Sequence, residues 1–169
     1  MLLEFRCKNH KSIKDEVLFS LLASKDTFNS EYLYDYKDLK ILKSSVVYGA
    51  NGSGKSNFID AIFFMKSLVS NSINLQPGMG IPYTPHKLNG VGSESFYSVQ
   101  FIKNGVRFAY GFSIEQMLVK EEYLYYFPNG RQAKIFDRTG MTYEEGSKFK
   151  GRFNSCKDVL KPNRLMISC

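Results

Sequence analysis

Gly49-Ala50-Asn51-Gly52-Ser53-Gly54-Lys55-Ser56 fits G-x-x-x-x-G-K-[ST] at every fixed position, the spelling of a phosphate-binding loop. With Gly at about 7% of residues in ordinary proteins, a chance match in a chain this short has odds of roughly one in a hundred or less. The flanks strengthen the reading. Ser44-Ser45-Val46-Val47-Tyr48 is β-branched and aromatic and predicts a short buried strand. From Asn57 to Ser72, apolar residues at Phe58, Ile59, Ala61, Ile62, Phe63, Met65, Leu68 and Val69 predict a helix with a wide apolar face.

Strand, glycine-rich loop and helix imply a site for a nucleoside triphosphate. Gly49 and Gly54 tolerate backbone angles that let the loop curl its N–H groups around phosphate oxygens. The helix opening at Lys55 adds unpaired N–H groups and the positive end of its dipole. Lys55 is the candidate catalytic residue, reaching the β- and γ-phosphates, and the Ser56 hydroxyl is the candidate ligand of Mg²⁺. The alternative, a glycine-rich turn with an exposed lysine, explains the flanks less well.

The chain has 169 residues, 43% apolar and 23% charged, enough for one domain with its own core. No stretch approaches the ~18 uncharged apolar residues of a membrane span. The opening Met1-Leu2-Leu3-Glu4-Phe5-Arg6 lacks the pattern of a signal peptide, so no membrane partner is expected. Cys7, Cys156 and Cys169 are odd in number and widely spaced, arguing against a disulfide framework or a zinc site and for a reducing, cytoplasmic setting. The net charge of +7 permits nucleic acid as a partner without specifying it, because the basic residues form no compact block.

Elsewhere the pattern is that of extended segments. Leu3, Phe5 and Cys7 alternate with Glu4, Arg6 and Lys8 as in a half-buried strand, with a turn at Asn9-His10-Lys11-Ser12 and a second strand in Glu16–Leu22. Lys25 to Lys43 reads as a loop or short irregular helix. Pro77, Gly78, Gly80, Pro82, Pro85, Gly90 and Gly92 mark a long connection, in which His86 reads as solvated. Asn104-Gly105 joins two strands, Pro128-Asn129-Gly130 two more, and Thr139-Gly140 closes a third hairpin. Tyr123, Tyr125 and Tyr126 read as cross-strand packing rather than a base-stacking platform. A weak helical stretch surrounds Asp158–Leu160. The expected organisation is a nucleotide-binding lobe over 1–75, a loop or insertion over 76–94 and an antiparallel β-subdomain over 95–169.

A self-sufficient P-loop hydrolase also needs an acid at the end of a second buried strand, to hold Mg²⁺ and orient water. No four apolar residues followed by Asp occur here. Ile135-Phe136-Asp137 comes nearest but ends a hairpin strand after Lys134, and Ser24-Lys25 interrupts the run before Asp26. Leu88-Asn89-Gly90-Val91-Gly92 has some likeness to an ABC-type signature but lacks the Ser after Leu. Gln100 and Gln116, set in hairpin strands, are not site candidates. The chain therefore reads as the first half of a larger nucleotide-binding domain.

Leu3-Glu4-Phe5-Arg6-Cys7-Lys8-Asn9-His10-Lys11-Ser12-Ile13 resembles the opening strand and N-F-[RK]-S of the RecF/SMC/OLD branch of ABC-type ATPases, with His10 in place of the usual Phe. The chain resembles more closely the AAA-type ATPases of bacterial abortive-infection and anti-phage systems. That likeness runs through Ala23-Ser24-Lys25-Asp26, the P-loop from Val47 to Asn57, Gly105–Phe112 and Glu121–Tyr126. It implies an α/β fold (α+β in the part present): the N-terminal lobe of an ABC-type head, with the C-terminal lobe absent. It implies ATP and Mg²⁺ as cofactors, bound by Lys11, Gly49, Asn51, Gly52, Ser53, Gly54, Lys55, Ser56 and Asn57. It further implies a homo-oligomer of ATP-sandwiched heads that controls an effector, often a nuclease. Three other readings stay open: a DNA-repair-type ATPase head that binds nucleic acid, a small self-contained NTPase or kinase using Asp137 or another carboxylate, and a non-catalytic nucleotide-dependent interaction module that contacts a protein or nucleic acid.

Overall fold

A computed structural model describes residues 1–24, 30–90 and 92–169. Seven strands form one antiparallel sheet: β1 (Leu2–Lys8), β2 (Val17–Ser20), β5 (Ser95–Lys103), β6 (Val106–Glu115), β7 (Leu118–Phe127), β8 (Ala133–Thr139) and β9 (Thr142–Glu145). Their order is β2-β1-β5-β6-β7-β8-β9. A separate hairpin, β3 (Leu33–Tyr36) and β4 (Leu39–Leu42), occupies part of the stretch expected to be a loop or irregular helix. Lys37, at φ 52, makes its turn. The Ala23–Asp26 likeness falls partly outside the described residues.

The hairpin grammar of the second half is realised in register. Asn104 and Gly105, at φ 50 and 70, form the double left-handed turn that matches the twist of β5 and β6, so Val106 faces Lys103 and Phe112 faces Tyr97. Thr139 and Thr142 close the β8–β9 hairpin. Tyr123 and Tyr125 stack at 5.2 Å on one face of β7, and Tyr123 covers Gly111, where an added Cβ would come within 2.5 Å of its hydroxyl. Gln116 sits at φ 50 in the β6–β7 turn, not in a strand. The stretch around Asp158–Leu160 forms turns; the nearest helical element is a 3-10 turn over Asn154–Cys156.

One long helix, α1 (Lys55–Asn71), lies on one face of the sheet. It buries Phe58, Ala61, Met65 and Leu68, a narrower stripe than the sequence suggests, against Phe5, Cys7, Tyr97, Tyr110 and Phe112. Ile59 and Phe63 stay 45% and 63% exposed. A second cluster, Leu3, Ile41 and Ile102, seats the β3–β4 hairpin.

The predicted strand at Ser44–Tyr48 is not formed: the stretch belongs to no strand, and Val46 and Tyr48 are 82% and 89% exposed. The reason is geometric. A strand needs a neighbour to hydrogen-bond with, and the seven-stranded sheet runs from β2 to β9 without a place for this segment among the described residues. Its β-branched spelling predicts a strand only where such a neighbour exists.

The segment 161–169 is strapped across the core by a buried ion pair. Glu122 and Arg138 meet at 3.1 Å with both side chains fully buried. Glu122 also accepts the N–H groups of Met166 (2.6 Å) and Ile167 (3.0 Å), while Arg138 donates to the carbonyls of Lys161, Arg164 and Gly140. Ser72, just past α1, donates or accepts across to Ser168 and receives the N–H of Leu165.

Candidate functional site

Three pieces of chain converge at the start of α1: the loop Gly49–Gly54, the helix's first turn, and the turn after β1. Gly52 and Gly54 sit at φ 81 and 93, a region closed to other residues without strain, and Gly54 is the residue that caps the helix. No side chain caps it. The first intrahelical bond runs from Phe58 N–H to the Gly54 carbonyl, so the N–H groups of Lys55, Ser56 and Asn57 precede the helical ladder. Lys55 arcs back over the loop and donates to the carbonyls of Gly49 and Ala50, 2.7 Å each. Ser56 is exposed beside it.

An open cleft of about 580 Å³ borders this loop, walled by Ser12–Val17 on one side and by Gly49, Ser53, Gly54 and Lys55 on the other. Its size suits a nucleotide. The donor set fits a polyphosphate: glycines at positive φ, uncapped helix N–H groups and a lysine ammonium gather within six residues. Ser56 offers the one hydroxyl that the motif requires for a hard cation, which takes oxygen ligands and keeps several waters. Thus Gly49, Asn51, Gly52, Ser53, Gly54, Lys55, Ser56 and Asn57 are brought to one place.

The turn after β1 is braced on every side. Asn9, 1% exposed, donates to Ser93 Oγ (2.8 Å) and to the Glu94 carbonyl (2.9 Å), and its Oδ1 accepts from His86 N–H and the Asn89 amide. His86 therefore joins the scaffold of this turn through its backbone and caps a 3-10 turn with its ring. His10, also 1% exposed, bridges Tyr97 Oη (2.8 Å) on β5 and Asp60 Oδ2 (2.9 Å) on α1. Burial lowers the His10 pKa, outweighing Asp60, whereas the Lys11 hydrogen bond holds Asp60 below its ordinary value. An ionised Asp60 only accepts, so His10 is neutral with its proton on Nε2, and Nδ1 accepts from Tyr97. Lys11 Nζ completes the cluster, 2.7 Å from the same Asp60 oxygen. Ser12 Oγ accepts from the Asn57 amide at 2.6 Å and lies 3.3 Å from where a Cβ on Gly54 would stand.

The sequence reading missed Asp60 and Tyr97 and treated His10 only as a replacement for Phe. One signal was legible: Asp60 lies four residues after Ser56, hence on the same helix face one turn further on. Asp137 is not part of this site. It lies on β8, four strands across the sheet from β1, accepts from the Tyr125 hydroxyl and pairs with Lys134 at 3.0 Å. Among the described residues no cluster of three or more His, Cys, Asp or Glu could hold a metal, the three cysteines are free, and no helix is long and apolar enough to cross a membrane.

Residues 44–154, about two thirds of the chain, match the family model described as "AAA domain, putative AbiEii toxin, Type IV TA system". The match contains the whole loop and α1 but not the turn that carries Lys11. No curated protein matches the chain.

Proposed function

We propose, from the premise that this chain belongs to that AAA-domain family, that it is the ATP- and Mg²⁺-binding lobe of an ATPase which controls an effector in anti-phage defence. The observation that carries the reading is the converging donor set: Gly52 and Gly54 at positive φ, uncapped N–H groups at the start of α1, and the Lys55 ammonium over the loop.

In this reading Lys55 exchanges the carbonyls of Gly49 and Ala50 for phosphate oxygens, and the N–H groups from Asn51 to Ser56 orient the polyphosphate. Ser56 would hold the cation through its hydroxyl, and Asn57, bonded to Ser12, ties the first turn of α1 to the turn after β1. Bound Mg²⁺–ATP supplies the transferable phosphoryl group and the charge neutralisation that its departure requires. Among the described carboxylates near the loop, Asp60 is engaged by Lys11 and His10, Glu16 by Arg6 at 2.9 Å, and Asp15, which also lines the cleft, lies in an exposed bend rather than at the end of a second buried strand. The chain alone is accordingly expected to bind ATP and turn it over slowly. Efficient turnover is proposed to need a second head, the two sandwiching ATP, with a nuclease as the kind of effector controlled.

The test is a titration of the purified chain with a fluorescent ATP analogue and Mg²⁺, following phosphate release in the same samples. Binding lost in Lys55→Ala, with little release, is the expected result. Steady turnover by the isolated chain would refute the half-site reading. Sensitivity of that turnover to Asp137→Asn would favour a self-contained enzyme, although the distance of β8 from the loop speaks against it.

A further inference from the structure

We propose that Asp60 parks the Lys11 ammonium beside the phosphate loop, and that a bound nucleoside triphosphate draws Lys11 off Asp60 onto its phosphates. The proposal rests on the nucleotide-binding reading above and adds a residue, Asp60, that sets how readily the site fills.

The geometry supports each half of the exchange. The backbone around Lys11 is fixed: Asn9 and Lys11 stand at φ 57 and 50, His10 and Ile13 exchange two 2.8 Å bonds, and Lys11 N–H donates to the Thr84 carbonyl. The buried side chains of Asn9 and His10 hold the same turn from beneath. What can move is the Lys11 stem, whose side chain is 37% exposed and carries a compact, freely rotating charge. Its neighbour Ser12 touches Asn57 and lies against Gly54, so the stem leaves the backbone at the edge of the loop. Asp60, by contrast, is pinned. His10 Nε2 holds the same oxygen that Lys11 uses, and Tyr97 holds His10 in turn.

Asp60 also stands one helical turn, about 5–6 Å, beyond Ser56 on the same face of α1. The parked ammonium is therefore within the swing of one lysine side chain from the place where phosphates meet the helix. An exposed pair such as Lys11–Asp60 holds its cation by a factor of no more than about five, whereas a triphosphate offers several charges at once. The exchange consequently runs toward the nucleotide. Why a half-exposed lysine is given a carboxylate anchored to the core also follows: without a nucleotide, an unpaired cation would stand at the mouth of an already positive loop.

The test is a double-mutant cycle on the full chain. Affinity for a fluorescent ATP analogue with Mg²⁺ is measured at one moderate salt concentration for the wild type, Asp60→Asn, Lys11→Met and the double variant. Asp60→Asn keeps a carbonyl oxygen for His10; Asp60→Ser, which keeps an oxygen without the charge, replaces it if that variant does not fold. The expected results are binding two- to fivefold tighter for Asp60→Asn, several-fold weaker for Lys11→Met, and no added effect of Asp60→Asn in the Lys11→Met background. Unchanged or weaker binding by Asp60→Asn overturns the proposal. So does an equal tightening in both backgrounds, which would be relief of a negative charge without any exchange. Absence of Lys55-dependent binding in the wild type would instead sink the nucleotide reading, and this proposal with it.

Discussion

Changing Glu122 to Gln removes one charge and no volume, so it isolates what the buried strap of residues 161–169 depends on. The carboxylate is saturated by donors: Met166 and Ile167 N–H, the Tyr110 hydroxyl at 3.0 Å and the Arg138 guanidinium at 3.1 Å. A glutamine in its place turns one oxygen into an NH₂, which then faces two donors whichever way the amide is flipped. It also leaves Arg138 charged and fully buried. Burial already pushes the Glu122 carboxyl above its ordinary value, a sign that this pair is strongly desolvated. Breaking one partner of such a pair costs about 3–5 kcal/mol, which in a domain of this size lowers Tm by roughly 6–20 °C. The usual remedy of replacing both partners by apolar residues is not expected to restore stability here. A Glu122→Met/Arg138→Met double variant strips partners from Met166, Ile167, Lys161, Arg164 and Gly140, and each buried orphan costs about 1–3 kcal/mol. Urea and thermal unfolding by circular dichroism measure both variants. A loss under ~1 kcal/mol for Glu122→Gln, or wild-type stability in the double variant, would refute this account of the strap.

Three other perturbations test other parts of the molecule. Gly54→Ala forces a Cβ into a backbone at φ 93 and towards Ser12 Oγ at 3.3 Å; if the loop relaxes away from its phosphate-binding shape to escape a strain of about 1–3 kcal/mol, nucleotide affinity falls by roughly five- to hundredfold, read by the same titration. Gly146→Ala places a Cβ 1.9 Å from the Lys134 carbonyl oxygen, a clash with backbone that cannot rotate away, so the stability read from equilibrium unfolding is expected to fall by at least the ~1–3 kcal/mol of an overpacked site. His10, buried and neutral, has a folded pKa below its unfolded value near 6.5. The unfolded chain therefore binds the proton first, and stability is full above about pH 6.5 and declines as pH falls below it, by up to ~1.4 kcal/mol per pH unit. Equilibrium unfolding across pH 5–7.5 measures the slope, and a slope unchanged in His10→Gln would assign it elsewhere.

The sequence by itself determined the parts whose physics is local. The loop is legible because only Gly tolerates φ 81 and 93 at Gly52 and Gly54, and because Lys55 and Ser56 must follow at fixed distance. The hairpins are legible for the same kind of reason: Asn104-Gly105 dictates the turn, and alternation along β5 and β6 sets which side chains share a face. What tertiary structure decided is which pieces meet. The strand spelling at Ser44–Tyr48 promised a sheet position that no neighbour supplies among the described residues, and Ile59 and Phe63 belong to an apolar face that is only partly covered. Asp60 gains its meaning from His10 and Lys11, fifty residues earlier, and Glu122 from Met166 and Ile167, more than forty residues later. A backbone turn is fixed by torsional limits of the residues in it, so it can be read from them; an ion pair or a sheet neighbour exists only when folding closes the long loop between its halves, and nothing in either half records the other.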